Sequence, residues 1–228
     1  AVLRPARLVL LAAQRLVLNR PPYIHRFNGV GSWVYHEATD FAVAQGFASG
    51  PIVPKMALPP SSVEEAWIQM EDLPRPRFAF AIGSSSPEKN WGGEKFLQLA
   101  KILVDLGCGV LVLGGPAERE ATEKLFASAK FPVNAVRVMC QSSVLKSAAA
   151  LKTADFCIGN DTGILNVAVA CDVPALGLFG NTRPLTHDPL LHAIHGQCMA
   201  EISVEAVVHR LIELHAPGLS PCAAVNCQ

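Results

Sequence analysis

The chain has 228 residues, and its 19 basic and 19 acidic side chains cancel at neutral pH, so its charge balance calls for neither nucleic acid nor a strongly anionic surface. Half of its residues are hydrophobic, which suits an α/β core whose parallel strands are buried on both faces, and the length allows one large domain or one and a half smaller ones. The seven cysteines, Cys108, Cys140, Cys157, Cys171, Cys198, Cys222 and Cys227, are odd in number and scattered; they read as reduced, cytosolic thiols, with no CxxC pair and no histidine cluster of the kind that holds zinc.

In chain order, the first feature is the apolar run from Leu8 to Leu18, preceded by Arg4 and Arg7. It has some look of a signal peptide, but Gln14 and Arg15 interrupt it and no small-x-small cleavage site follows. It is too short to span a bilayer and reads as a helix of a partial N-terminal domain, with membrane-surface contact as a second reading. Pro21-Pro22, Asn28-Gly29, Gly50-Pro51 and Pro59-Pro60 punctuate the chain up to residue 60. Ser61 and Glu64 read as a capping box that starts a helix, which Pro74 and Pro76 end. From there strands and helices alternate: strand 77–82, helix 93–106, strand 109–113, helix 117–129, strand 134–138, helix 143–152, strand 155–158, helix 162–171, strand 174–178, then a last helix from Val204 to His215. This pattern implies right-handed crossovers and a Rossmann-like parallel sheet with helices on both faces. The tail from Ala216 to Gln228 has no period and is expected to be loose. The expected organisation is a partial domain over 1–60, a helix and linker over 61–76, a Rossmann-like domain over 77–215 and the tail.

Two strand-to-helix junctions carry chemistry. The strand Asp155-Phe156-Cys157-Ile158 runs into Gly159-Asn160-Asp161-Thr162-Gly163, which opens a helix. In open α/β sheets ligands bind at the carboxyl ends of strands, and a helix N-terminus suits a phosphate. Asp161 is well placed to bond a sugar hydroxyl there, although Asp161 or Thr162 also suits a plain helix cap. The strand Arg77 to Ile82 runs into Gly83-Ser84-Ser85-Ser86-Pro87-Glu88-Lys89-Asn90-Trp91. Its hydroxyls can donate to phosphate oxygens and Lys89 adds a compact positive charge; the plainer reading is a solvated Ser/Pro-rich loop. Trp91 suits a packing anchor better than a base stack. Met139 fits either an adenine face or a strand-end core position. His187, His192 and His195 read as loop or surface residues. No GxGxxG follows a strand, which argues against a nicotinamide dehydrogenase, and no Asp-x-Asp metal motif is present.

These residues carry a resemblance. The Gly83 to Trp91 loop, the Val110-Leu111-Val112-Leu113-Gly114-Gly115-Pro116-Ala117-Glu118 segment, the Gly159 to Ala170 segment and the run Val173 to Thr182 resemble, in order, four motifs of glycosyltransferase family nine, the lipopolysaccharide heptosyltransferases. His36 to Phe41 resembles the family's stretch leading into its interdomain region. The resemblance implies a GT-B type fold, in which the C-terminal half binds an ADP-sugar donor such as ADP-heptose. It would place Ser84, Ser85 and Lys89 on the diphosphate, Glu118 near the ribose and Asp161 on the donor sugar. Thr162 and Gly163 would cap the diphosphate, with Asn166 and Met139 as further candidates. It implies no cofactor and no metal, a glycan or glycolipid acceptor, and a cytoplasmic location with peripheral contact at the inner membrane. Two departures stand out. Asn166 occupies the position of a family histidine and cannot carry a charge at neutral pH. The family's opening strand and glycine loop, followed closely by the acid proposed as catalytic base, have no counterpart before Arg77, so the catalytic base is unknown. The expected function is transfer of a sugar, heptose by resemblance, from an ADP-sugar to a lipopolysaccharide core or similar glycan, with this chain carrying the donor-binding half. A binding module without turnover and a GT-B type sugar-nucleotide epimerase are the alternatives.

Overall fold

Four segments, Arg77–Ala81, Gly109–Leu113, Phe156–Asn160 and Ala175–Phe179, are buried along their whole length, as strands covered by helices on both faces must be. The computed structural model describes residues 34–50, 52–140 and 143–219; the apolar run 8–18, Cys222, Cys227 and most of the tail lie outside the described residues. The chain divides into two units, one ending at Val53 and the other beginning at Pro54. The described part of the first is built on helix α1 (Val34–Ala44), which carries the His36 to Phe41 segment. Its chain turns back through Phe47, whose ring meets that of Phe41 at 6.3 Å.

The second unit holds a six-stranded sheet: β1 (Arg77–Ala81), β2 (Gly109–Leu113), β3 (Val136–Met139), β4 (Phe156–Asn160), β5 (Ala175–Phe179) and β6 (Leu191–His195), in the order β3-β2-β1-β4-β5-β6. Every neighbouring pair is parallel. The helices are α2 (Pro60–Gln69), α3 (Gly93–Asp105), α4 (Arg119–Ser128), α5 (Val144–Leu151), α6 (Gly163–Ala170) and α7 (Val204–Glu213). In α3 the buried residues Phe96, Leu97, Leu99, Ala100 and Leu103 recur at helical spacing and form one apolar face. Phe96 meets Phe80 of β1 at 5.4 Å and the edge of Trp91 at 4.9 Å. Arg77, only 4% exposed, donates to the carbonyls of Met70 and Leu73 and so fastens the end of α2 to the start of the sheet.

Three local expectations change. β6 was not foreseen. Its sequence Leu-His-Ala-Ile-His contains two polar residues because an edge strand is only half covered, and His192 and His195 are therefore strand residues. The Ser61–Glu64 capping box does not form: α2 starts at Pro60 with no side-chain cap, since a proline in the first turn has the right φ and no N–H to satisfy. β3 starts at Val136 because Asn134 adopts a φ of +62° and Ala135 closes a turn onto Pro132.

Cys108, Cys140, Cys157 and Cys171 are free and buried, and Cys198 is free and exposed. Burial pushes the Cys108 thiol up to about 11 and the Cys157 thiol up to about 12, so at neutral pH neither is a nucleophile.

The strand order reverses between β1 and β4, the place where an open sheet of this kind forms a crevice at its carboxyl edge. Gly159 lies beside Ala81 in that seam. A Cβ on Gly159 would stand 2.4 Å from the Ala81 Cβ and 2.7 Å from its carbonyl oxygen, so the two strands pair here only because the side chain is missing. A Cβ on Gly163, by contrast, meets nothing within 4 Å. Gly159→Ala is expected to cost about 3 kcal/mol and lower Tm by roughly 6–12 °C, with Gly163→Ala within about 2 °C of wild type. Thermal melts of the two variants check this, and equal melting points would show that the seam is not close-packed.

Candidate functional site at the strand switch

The loops leaving β1 and β4 meet at the switch. The first, Gly83 to Gly92, is closed by its own bonds: the Ser84 hydroxyl donates to the Ser86 carbonyl and accepts from the Ser86 N–H. Ser85 is exposed. A 3-10 turn over Pro87–Lys89 lifts Lys89 toward the second loop, where its Nζ sits 2.6 Å from Asp161 Oδ2. Trp91 then plunges into the core at 3% exposure and its indole N–H donates to the Ile202 carbonyl at 2.7 Å. Its ring is thus a packing anchor. Lys95 secures the same segment, donating to the carbonyls of Met199, Ala200 and Ile202.

In the second loop the capping role falls to Thr162. It is extended at φ −137° and ψ 168°, and its Oγ1 accepts from the Ile164 N–H at 3.1 Å. Asp161 is thereby released from capping and its carboxylate faces Lys89. Gly163 opens α6 and is exposed. One turn in, Asn166 Nδ2 donates to the Thr162 carbonyl at 3.1 Å, and its buried Oδ1 has no partner among the described residues. Ser84, Ser85 and Lys89 are therefore gathered with Asp161, Thr162, Gly163 and Asn166 at one crevice.

Glu118 lies on the other flank of the first loop. Its Oε2 accepts from the Gly115 N–H at 2.8 Å and is 3.9 Å from where a Gly83 Cβ would stand. It lines a pocket of about 250 Å³ together with Ile82, Asn90, Phe96 and Thr122. Met139 lines a separate groove of about 120 Å³ with Ser62, Gln69, Ser143 and Lys146. A third pocket, about 370 Å³ beside β3 and α4 and lined by Phe126, Phe131 and Val138, contains none of these residues. Among the described residues no group of three or more His, Cys, Asp or Glu side chains could hold a metal ion, and no helix is long and apolar enough to cross a membrane.

Sequence reasoning missed Asn160. It ends β4 with zero exposure. Its Nδ2 donates to the carbonyls of Ile82 at 2.8 Å and Gly83 at 3.3 Å, and its Oδ1 accepts from the Trp91 N–H at 3.0 Å. The available signal was an amide directly after an unbroken apolar run, a place where a buried polar group must find partners.

The site can offer one mobile cation, hydroxyls, the free N–H groups of a helix start and a carboxylate within a few ångströms of the cation. That set suits a ligand carrying an anion next to a polyol. The cap itself is testable: Thr162→Val is expected to lose about 1 kcal/mol of stability, and Thr162→Ser to stay near wild type, in paired denaturant melts.

Comparison with known proteins gives the family. The model of glycosyltransferase family 9 (heptosyltransferase) matches residues 32–211. Lipopolysaccharide heptosyltransferase 2 of Salmonella typhimurium is 31% identical over 121 residues, which are 52% of this chain and 35% of that protein. Lipopolysaccharide heptosyltransferase 1 of Pseudomonas aeruginosa is 34% identical over 131 residues, 55% of this chain and 36% of that protein. The matched stretches are thus little more than a third of the length of these curated relatives. Among solved structures, the E. coli heptosyltransferase WaaC with ADP-2-deoxy-2-fluoro heptose is similar with a TM-score of 0.60 and 22% identity, over 85% of this chain and 60% of that one, a likeness of fold. The family match runs through both loops of the switch, and the chain belongs to glycosyltransferase family 9.

Proposed function

We propose that the crevice between β1 and β4 binds an ADP-sugar of the heptose type, and that residues 77–215 form the donor-binding domain of a glycosyltransferase. The observation that carries this is the Lys89–Asp161 pair at 2.6 Å. It sets an anion receptor beside a hydroxyl receptor at the one edge where this topology leaves a crevice. A related fold holds ADP-2-deoxy-2-fluoro heptose, a ligand with that same order of diphosphate and polyol.

In this reading Lys89, the Ser85 hydroxyl, the Ser84 hydroxyl once its proton leaves the Ser86 carbonyl, and the N-terminus of α6 at Gly163 meet the diphosphate. Thr162 contributes by capping α6, and its hydroxyl, which only accepts in that cap, keeps its proton for the diphosphate. Asp161 accepts from the hydroxyls of the donor sugar, and Glu118 accepts from the ribose hydroxyls on the far side of the first loop. Asn166 braces the start of α6 through its bond to the Thr162 carbonyl. Met139, in its own groove, has no role. As the glycosidic bond to the diphosphate breaks, negative charge grows on the leaving group, and Lys89 and the α6 N–H groups stabilise it there. An acceptor hydroxyl must also lose a proton to a base, and no side chain of this crevice takes that role. The acceptor in this reading is a lipopolysaccharide core or a similar glycan, reached by an enzyme that works on the cytoplasmic side of the membrane and touches it peripherally.

With no ligand, Lys89 and Asp161 neutralise each other. A diphosphate must compete with Asp161 for the ammonium, whereas a nucleotide-sugar replaces the ammonium at Asp161 with hydroxyls. Asp161→Asn is therefore expected to leave ADP affinity level or raise it and to lower ADP-heptose affinity about tenfold, by removing the charge from the sugar's acceptor. Lys89→Ala should weaken both ligands by roughly 1.5–3 kcal/mol. Calorimetric titration with ADP and ADP-heptose checks both variants. Equal changes for the two ligands in Asp161→Asn would show that Asp161 does not read the sugar.

A further inference from the structure

Asn160 does more than fill space. Its backbone is held in the β4 ladder opposite Leu178, so its side chain projects from a fixed point. Both donor hydrogens and the acceptor oxygen are used, on Ile82, Gly83 and Trp91. Gly83 and Trp91 are the entrance and exit of the loop that carries Ser84, Ser85 and Lys89. One amide therefore clamps both ends of that loop, and the next residue along the chain is Asp161. The spacing between the cation and the carboxylate of the crevice is set through this side chain.

The rest of the loop is anchored independently. Trp91 is held by its indole bond to Ile202 and its contact with Phe96, and the residue after β1, Ile82, keeps its N–H bond to Leu113. Loss of the clamp would leave these in place and free the segment between them. We infer that Asn160 is a positioning residue for the donor site, fixing the register of the Lys89 loop against Asp161. The inference rests on the reading that this crevice holds the donor.

Asn160→Asp provides the test, because a carboxylate of the same shape accepts from the Trp91 N–H yet cannot donate to the Ile82 and Gly83 carbonyls unless it is protonated. Two readouts apply, both on protein shown to be folded. In the ligand-free chain, amide hydrogen exchange of Lys89 and Asn90 should quicken at least tenfold at pH 7.5, while the amides of β2 and β5 keep wild-type protection. In titrations with ADP, the variant should bind at least tenfold more weakly at pH 7.5 and recover part of the way toward wild type as the pH falls, when the acid form regains one of the two donor hydrogens. Wild type titrated over the same range accounts for Lys89, Asp161, Glu118 and the phosphates themselves. Should wild type fail to bind ADP, the donor reading falls, and exchange in the ligand-free chain still decides whether Asn160 fixes the loop. Wild-type exchange in the folded variant, or undiminished ADP affinity at pH 7.5, overturns the inference.

Discussion

An amide shut away from water has to satisfy every donor and acceptor it carries. At the end of β4 this requirement binds Ile82, Gly83 and Trp91 to one side chain, and the architecture of the crevice follows from it. The sheet order brings β1 and β4 side by side, Gly159 lets them approach within contact distance, and Asn160 converts that approach into a fixed relation between two loops. Leaving any of the three carbonyl or N–H partners buried and unmet would cost on the order of 1–3 kcal/mol each, so the constraint is local, strong and independent of any ligand.

The division of labour in the second loop follows from the same economy of polar groups. Thr162 caps α6, which leaves the adjacent carboxylate of Asp161 without a structural duty and available to Lys89. The pair is partly open to solvent, with side-chain exposures of 28% and 17%, so it holds the loops together only weakly and can be exchanged for a ligand. Asn166 adds a buried oxygen that meets no partner among the described residues. A rigid frame thus supports exchangeable contacts, the arrangement expected where binding energy goes to a ligand instead of the fold.

Much of this was legible in the sequence because the strands are continuous apolar runs and the helices carry a clear stripe. The strands at Arg77, Gly109 and Ala175 lie within a residue of where the alternation puts them. β6 was not legible, since His192 and His195 break its apolar run at a half-covered edge. The start of α2 was misread because a capping-box pattern at Ser61 and Glu64 competes with Pro60, and the proline wins. At the crevice, the residue types of both loops were apparent from their position after strands. The pairing of Lys89 with Asp161, 72 residues apart, depends on a sheet order that local pattern does not reveal. Asn160 escaped notice for the same reason: its three partners lie 69 to 78 residues away.

Amide chemical shifts can locate ligand contact without presuming either the family or the physical reading of the loops. Assigned nitrogen–proton spectra recorded during an ADP titration are the most direct test. The account predicts that the largest shifts fall on the amides of Ser84 to Lys89 and of Thr162 to Ile164, in both loops at once. Shifts confined to the groove beside β3, around Phe126, Phe131 and Val138, or shifts in one loop alone, would contradict it.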